Sequence, residues 1–260
     1  MHPLAGWQPG PLLGVFTDID DTLTTDGAIT SDALRALAAL KAAGLQVIAI
    51  TGRPVGWSEP FAQSWPVDAI VAENGAVALV PQAQQPLRRL YQQDSATRLE
   101  NFARMQQVLA RIESSIPGAR RARDSAGRET DIAIDHSEFS HLPAAGIDAV
   151  VQLMQAEGMH ATVSSIHING WYGEHDKLAG ARWILQTLWG RALDAERDQW
   201  VYVGDSTNDQ VMFRHFRHSV GVANVRRFEA QLAHLPRYIT QAERGAGFAE
   251  LARHLLRPGP

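Results

Sequence analysis

The sequence predicts an α/β fold: a parallel sheet covered by helices on both faces, interrupted by an α+β unit with its own antiparallel sheet. Three observations carry this. Short apolar runs of strand length recur along the chain: LLGVF, QVIAI, DAIVA, WVYVG and SVGVA. Helical patterns lie between them. The rhythm breaks once, across residues 83–172, where helices alternate with pairs of short strands.

The first run leads to SDALRALAALKAAG, a helix that Thr30 or Ser31 can cap. Leu34, Leu37 and Leu40 or Lys41 repeat at helical spacing, and Gly44 can end it. After QVIAI, DAIVA and ENGAVALV comes PQAQQPLRR, whose proline and glutamine read as a linker. Next, SATRLENFARMQQVLARIESS is a long amphipathic helix. ARRARD and ETDIAID are strands separated by the turn-like SAG. AGIDAVVQLMQAEG is a second helix, and HATVSS and IHING are two more strands. This places an inserted domain at 83–172, between core segments 1–82 and 173–260. In the second core segment DKLAGARWILQTLWG is helical, with Leu178, Ala181, Leu185 and Leu188 on one side, and so is NDQVMFRHF. The tail, RPGP, is expected to fray.

Composition narrows the function. The chain has 260 residues, with 24 basic against 28 acidic side chains and a net charge of −4. That balance gives no basic face for nucleic acid. The absence of cysteine excludes disulfides and thiolate metal sites. No apolar run approaches the roughly 18 residues of a membrane span. The opening MHPLAGWQPGPLLG lacks the basic and long apolar regions of a signal peptide, so the cytoplasm is the expected location.

Polar residues follow each apolar run. The first ends in Asp18-Ile19-Asp20-Asp21-Thr22, the second in Thr51-Gly52-Arg53, the third in Glu73-Asn74-Gly75, and WVYVG in Asp205-Ser206-Thr207-Asn208-Asp209. An open parallel sheet binds ligands beyond the carboxyl ends of its strands, so these groups should share one cleft. Lys177, opening a helix before WVYVG, can point there too. Clustered carboxylates without cysteine or paired histidines suit Mg²⁺. A carboxylate beside that ion is a competent nucleophile toward phosphorus, and a second carboxyl two residues on can carry the proton.

Asp18-Ile19-Asp20-Asp21-Thr22 resembles the DxDxT signature of the haloacid dehalogenase superfamily. ITGR, HDKLAG and GDSTND resemble its second, third and fourth motifs, in that order. The insertion, with ENGA, VGVANV and YIT…ERGAGF, is similar to the Cof-like branch with a large α+β cap. That branch includes sucrose-phosphate and mannosyl-3-phosphoglycerate phosphatases. The resemblance implies a Rossmann-like core and a cap that closes over it. It implies Asp18 as nucleophile and metal ligand, and Asp20 as general acid/base with its carbonyl on Mg²⁺. Asp205 is implied as the third protein ligand, with Asn208 and Asp209 completing the metal's surroundings and orienting Lys177. Thr51 and Lys177 would bind the phosphoryl group; Gly52, Arg53 and Asn74 are candidates for substrate or cap contacts. Asp21, where the family more often has glycine, reads as a turn residue.

The implied activity is hydrolysis of a small-molecule phosphomonoester, first of a phosphorylated sugar or sugar derivative. Nucleotide- or vitamin-type phosphates and a phosphomutase are alternatives. A receiver-like signalling domain shares an acidic cluster, Thr and Lys. It lacks the second carboxyl after the nucleophile, the inserted cap and the late GDxxND motif. A silent sugar-phosphate binder would not need Asp18 and Asp20 intact. Other features read as ordinary structure: His215 and His218 as a surface helix, Trp183 and Trp189 as packing, and His136, His141, His160 and His167 as structural or exposed. The run Arg120, Arg121, Arg123 and Arg128 is either a solvated hairpin or a contact to an anionic or polyhydroxy substrate.

Overall fold

A computed structural model describes residues 1–257. The chain begins with β1 (His2–Pro3), β2 (Gly14–Thr17), the small pair β3 (Thr24–Thr25) and β4 (Ala28–Ile29), and α1 (Ser31–Ala42). It continues through β5 (Gln46–Ile50), α2 (Val55–Ser64), β6 (Ala69–Ala72), β7 (Val77–Gln82) and β8 (Gln85–Tyr91). A middle stretch follows: α3 (Ser95–Ser115), β9 (Arg120–Arg121), β10 (Ile132–Asp135), α4 (Ala144–Ala156), β11 (His160–Val163) and β12 (His167–Trp171). The chain then returns through α5 (Lys177–Trp189), α6 (Leu193–Glu196), β13 (Trp200–Gly204), α7 (Gln210–His215), β14 (His218–Gly221), β15 (Tyr238–Ile239) and α8 (Arg244–Leu255).

The large sheet has the order β1-β15-β14-β13-β2-β5-β6-β7-β8. Strands β1 to β6 along that order pair in parallel, and β7 and β8 extend it antiparallel. Its central strands are continuous apolar runs because helices cover both faces. Val15, Val47, Ile70 and Val201 pack with Leu37 of α1 and Phe248 of α8. Their alternates Phe16, Ile48, Val71 and Tyr202 pack with Ile184 of α5 and Met212 of α7. The period-two alternation therefore feeds two cores from one set of strands.

The second sheet has the order β11-β12-β10-β9. One face buries Ile132, Ile134 and Ile168 under Met105 and Leu109 of α3 and Val150 and Met154 of α4. Asp94 caps α3, its carboxylate accepting from the amides of Ala96 and Thr97 at 2.9 and 3.0 Å. The opposite face carries Asp131 and Asn169 toward the large sheet.

Four expectations are corrected. PQAQQPLRR is no linker: β7 and β8 form a hairpin through it, and β8 carries the large sheet to Tyr91. Leu34 lies outside the buried stripe of α1, which is Ala33, Ala36, Leu37 and Leu40. Helices α2 and α8 were not expected. Pro60 inside α2 and the RGAG opening of α8 weaken both as helix patterns, and tertiary packing overrides that. ARRARD yields only the two-residue β9. The expected fraying of the tail concerns residues 257–260, of which 258–260 lie outside the described residues.

Glu73, Asn74 and Gly75 all adopt positive φ, at 49°, 55° and 111°. A Cβ on Gly75 would lie 2.2 Å from the Asp176 carbonyl oxygen, so the start of α5 rests directly on this backbone. Gly75→Ala should therefore lower stability by about 2–4 kcal/mol in urea unfolding. Gly118→Ala, with φ 84° and its nearest neighbour at 3.7 Å, should cost only about 1 kcal/mol. Equal losses would refute the close-approach argument.

Candidate active site

The carboxyl ends of β2, β5, β6 and β13 bring the polar segments together. Asp18 follows β2, and its amide donates to the Val203 carbonyl at 2.9 Å, locking the segment to β13. Asp18, Thr51, Lys177, Asp205 and Asp209 are all buried. Lys177 is the first residue of α5, whose N-cap Asp176 accepts from the Ala179 amide at 2.7 Å. The helix start thus fixes the lysine's direction.

The Lys177 ammonium donates to Asp18 Oδ1 at 2.7 Å and to Asp209 Oδ1 at 2.6 Å. Asp209 Oδ1 also accepts from the Tyr202 hydroxyl. Asp209 Oδ2 accepts from the amides of Asp205 and Ser206 at 2.9 and 3.1 Å, closing a capping box with Ser206. Both oxygens of Asp209 are therefore engaged. Asn208 accepts the Ser206 hydroxyl at 3.0 Å. Asp205 Oδ2 accepts from Asn224 at 3.0 Å, while its Oδ1 has no hydrogen-bond partner.

Burial pushes the Asp18 carboxyl up to about 8. Asp209 and Asp20 push the same way, and Lys177 opposes them. Asp205 is also raised, by burial first and then by Asp18, Asp209 and Asp21. For Lys177, burial acts to discharge the ammonium, but Asp18 and Asp209 more than reverse this and raise its pKa.

Those groups fit a hard divalent cation. Oxygen atoms of Asp18, Asp205 and Asp209 lie within 4.8 Å of one another, the only such group among the described residues. The unpartnered, buried Asp205 Oδ1 needs a positive partner. Asp209, already saturated, is better placed to hold Lys177 than to ligate.

Arg53 joins the two sheets. Its Nε donates to both oxygens of Asp20 at 3.0 and 3.1 Å, and its other nitrogens reach Asp124 at 3.2 Å and Glu138 at 2.6 Å. Glu138 also lies 2.9 Å from His167 Nε2. Bonds from His167 and Arg53 outweigh the effect of burial and lower the Glu138 carboxyl to about 2. Thr51 Oγ1 accepts the Arg53 amide at 3.0 Å, so it caps this turn. The Gly52 carbonyl accepts from Arg128 and Asn169 at 3.0 and 3.2 Å. Asn74 reaches Asp131 at 3.5 Å, in the buried cluster that Asp131 forms with Arg128 and Asn169. Asp21 is a turn residue with φ 53°, and Arg244 pairs with it. That left-handed φ suits glycine.

Several roles escaped the sequence reading. Glu73, wholly buried, accepts from the Val55 amide on one side and from the Glu129 and Thr130 amides on the other. His167, read as structural, faces a chamber that Asp18, Asp20 and Asn208 also line. The arginine run divides: Arg128 is buried, Arg123 lies over Phe139, and Arg121 pairs with Glu113. His215 sits beside Asp194 and His218 against Trp7.

Residues 15–115 match the model of the haloacid dehalogenase-like hydrolase family. No curated protein matches the chain. Among solved structures, it is similar to a Thermoplasma acidophilum protein at 15% identity and TM-score 0.70, over 94% of this chain and 98% of that one. A HAD/COF-like hydrolase from Plasmodium vivax is 17% identical, with TM-score 0.68 over 94% and 95%. A sucrose-phosphatase from Synechocystis, solved with sucrose and phosphate, is 16% identical, with TM-score 0.65 over 94% and 98%. At such identities the likeness to these structures is one of fold. No helix among the described residues is long and apolar enough to cross a membrane.

The raised carboxyls set a pH dependence. Without a cation, Asp18 in the fold holds its proton to about 8, against 3.8 as its ordinary value. Its contribution to stability is full below the ordinary value and is lost as pH rises through about 8. A divalent cation binds the charged forms. Mg²⁺ should therefore raise Tm more at about pH 8 than at about pH 5.5, relative to chelator. Equal gains at both pH values would contradict this assignment.

Proposed function

Taking the chain as a haloacid dehalogenase-like hydrolase, we propose that it is a Mg²⁺-dependent phosphomonoester hydrolase acting through an aspartyl-phosphate, on a phosphorylated sugar or sugar derivative. The observation that carries this reading is the buried Lys177 ammonium held between Asp18 and Asp209, 2.7 and 2.6 Å away, with Asp18 and Asp20 lining one chamber.

In this reading an Asp18 oxygen attacks phosphorus and the bond to the leaving oxygen breaks. Asp20 gives that oxygen its proton, so an alcohol departs. Water then attacks the aspartyl-phosphate, Asp20 takes up its proton, and inorganic phosphate and free Asp18 result. Thr51 and Lys177 hold the phosphoryl oxygens while charge builds on them. Arg53 aims Asp20. Asp18, the Asp20 carbonyl and Asp205 would hold Mg²⁺, with Asn208 and Asp209 behind them. When bound, the cation offsets the carboxylate repulsion and polarises the phosphoryl group. Asp209 works through Lys177, whose position it fixes.

The α3-to-β12 unit is proposed as the cap and the large sheet, including β8, as the catalytic core. Substrate entry then requires the cap to lift, because the chamber at Asp18 and Asp20 is only about 10 Å³. Two things favour a sugar phosphate: the fold likeness to a sucrose-phosphatase, and the hydroxyl and amide side chains of Ser164, Ser165 and Asn169 in that chamber.

Asp18→Asn should lower kcat on p-nitrophenyl phosphate about a thousandfold or more, with Tm preserved or raised, and Asp20→Ala should cost about 10²–10⁴-fold. Full activity in Asp18→Asn would overturn the mechanism.

A further inference from the structure

Asp20, the residue read as proton carrier, is held by Arg53, and Arg53 is itself gripped by the unit of the smaller sheet. The guanidinium presents two edges to two carboxylates. Nε donates to Asp20 Oδ1 and Oδ2 at 3.0 and 3.1 Å, and Nη2 lies 2.9 Å from Asp20 Oδ1. On the adjoining edge Nη2 donates to Glu138 Oε1 at 2.6 Å, and Nη1 donates to Glu138 Oε2 at 3.2 Å. Nη1 also donates to Asp124 at 3.2 Å. Trp57 supports one face, with its ring centroid 4.8 Å from the guanidinium carbon. A planar fork engaged on two edges and one face is fixed in orientation, and it fixes the carboxylate it holds.

Glu138 is anchored at both ends. It lies in the loop between β10 and α4. Asp135, buried at the end of β10, accepts the amides of Ser137, Glu138, Phe139 and Ser140 at 3.1, 2.9, 2.9 and 3.1 Å. An aspartate that accepts successive amides holds a turn, so the backbone of Glu138 is fixed. At the other end, Glu138 Oε2 lies 2.9 Å from His167 Nε2 of β12. Asp20, Arg53 and His167 line the chamber at Asp18, and Glu138 does not. Glu138 therefore acts there through the side chains it holds.

We propose that Glu138 is a positioning residue for proton transfer: by fixing the Arg53 guanidinium, it keeps Asp20 aimed at the leaving oxygen. The proposal rests on the phosphatase reading and gives the β9-to-β12 unit a part in the chemical step itself. A general acid is worth about 10²–10⁴-fold, and a displacement of about 1 Å forfeits about a hundredfold, so a loosened Asp20 loses a readable part of its effect. Without Glu138, Arg53 still pairs with Asp20 and Asp124, so no buried charge is stranded. The guanidinium is then free to turn toward Asp124, and Asp20 turns with it.

The test compares phenyl phosphate with p-nitrophenyl phosphate, which share a ring and differ in how much the leaving oxygen gains from a proton. p-Nitrophenolate departs readily without one; phenolate does so less readily. The ratio of kcat/KM for p-nitrophenyl phosphate to that for phenyl phosphate therefore reads proton delivery to the leaving oxygen. Glu138→Ala should raise this ratio by about tenfold, and Glu138→Gln, which keeps one accepting oxygen, should raise it less. Asp20→Ala, with no donor left, should raise it further than either. A ratio within one variant does not depend on how much protein is folded. A merely structural role, or a contact to the shared ring, would lower both values together and leave the ratio in place. The proposal falls if Asp20→Ala raises the ratio while Glu138→Ala leaves it within about twofold of the wild type. If Asp20→Ala leaves the ratio unmoved, the role of Asp20 as acid fails and this proposal with it. A wild-type protein inert toward both phosphates would overturn the phosphatase reading and this proposal together.

Discussion

The Lys177 ammonium, wedged between Asp18 and Asp209, is the contact on which the rest of the site depends. Three carboxylates, Asp18, Asp205 and Asp209, are buried within a few ångströms of one another, an arrangement that repels itself. One fixed cation relieves two of them. Its position is set from far away in sequence: Gly75 supports the Asp176 backbone, Asp176 caps α5, and α5 delivers Lys177. Asp209 is held in turn by Tyr202 from β13 and by the amides of Asp205 and Ser206. Sheet, helix start and strand-end turn are therefore coupled through one ammonium. Asp205 Oδ1, which has no partner, marks where a second positive charge belongs.

Among the ties that hold the smaller sheet to the large one, two differ in character. At Glu73, one buried core carboxylate accepts the backbone amides of Glu129 and Thr130, so a single side chain holds two main-chain groups of the segment before β10. At Arg53, the link is between side chains: Asp20 on the core side, Asp124 and Glu138 on the other.

Much of this was legible in the chain. Continuous apolar runs marked β2, β5, β6, β13 and β14, and α3 spans the expected residues because an amphipathic pattern and Asp94 fix it. The polar residues after those runs meet because parallel strands present their carboxyl ends together. What could not be read depends on docking between the two sheets. Glu73 and Thr130 are 57 positions apart, and Gly52 and Asn169 are 117 apart. No local period encodes such pairs. His167 and Glu138 gain their meaning only when β12 lies over Arg53. Helices α2 and α8 were hidden by proline and glycine, residues whose local cost is met by packing against the sheet.

The most direct measurement is a double-mutant cycle between Lys177 and Asp209 in the metal-free protein, using Lys177→Met and Asp209→Leu and reading unfolding free energy. Removing one partner strands a buried charge, so each single change should cost about 3–5 kcal/mol. The double variant should recover a large part of this, with a coupling of about 2 kcal/mol or more. Additive losses, with coupling below about 0.5 kcal/mol, would contradict the claim that this ammonium holds the carboxylate cluster in place.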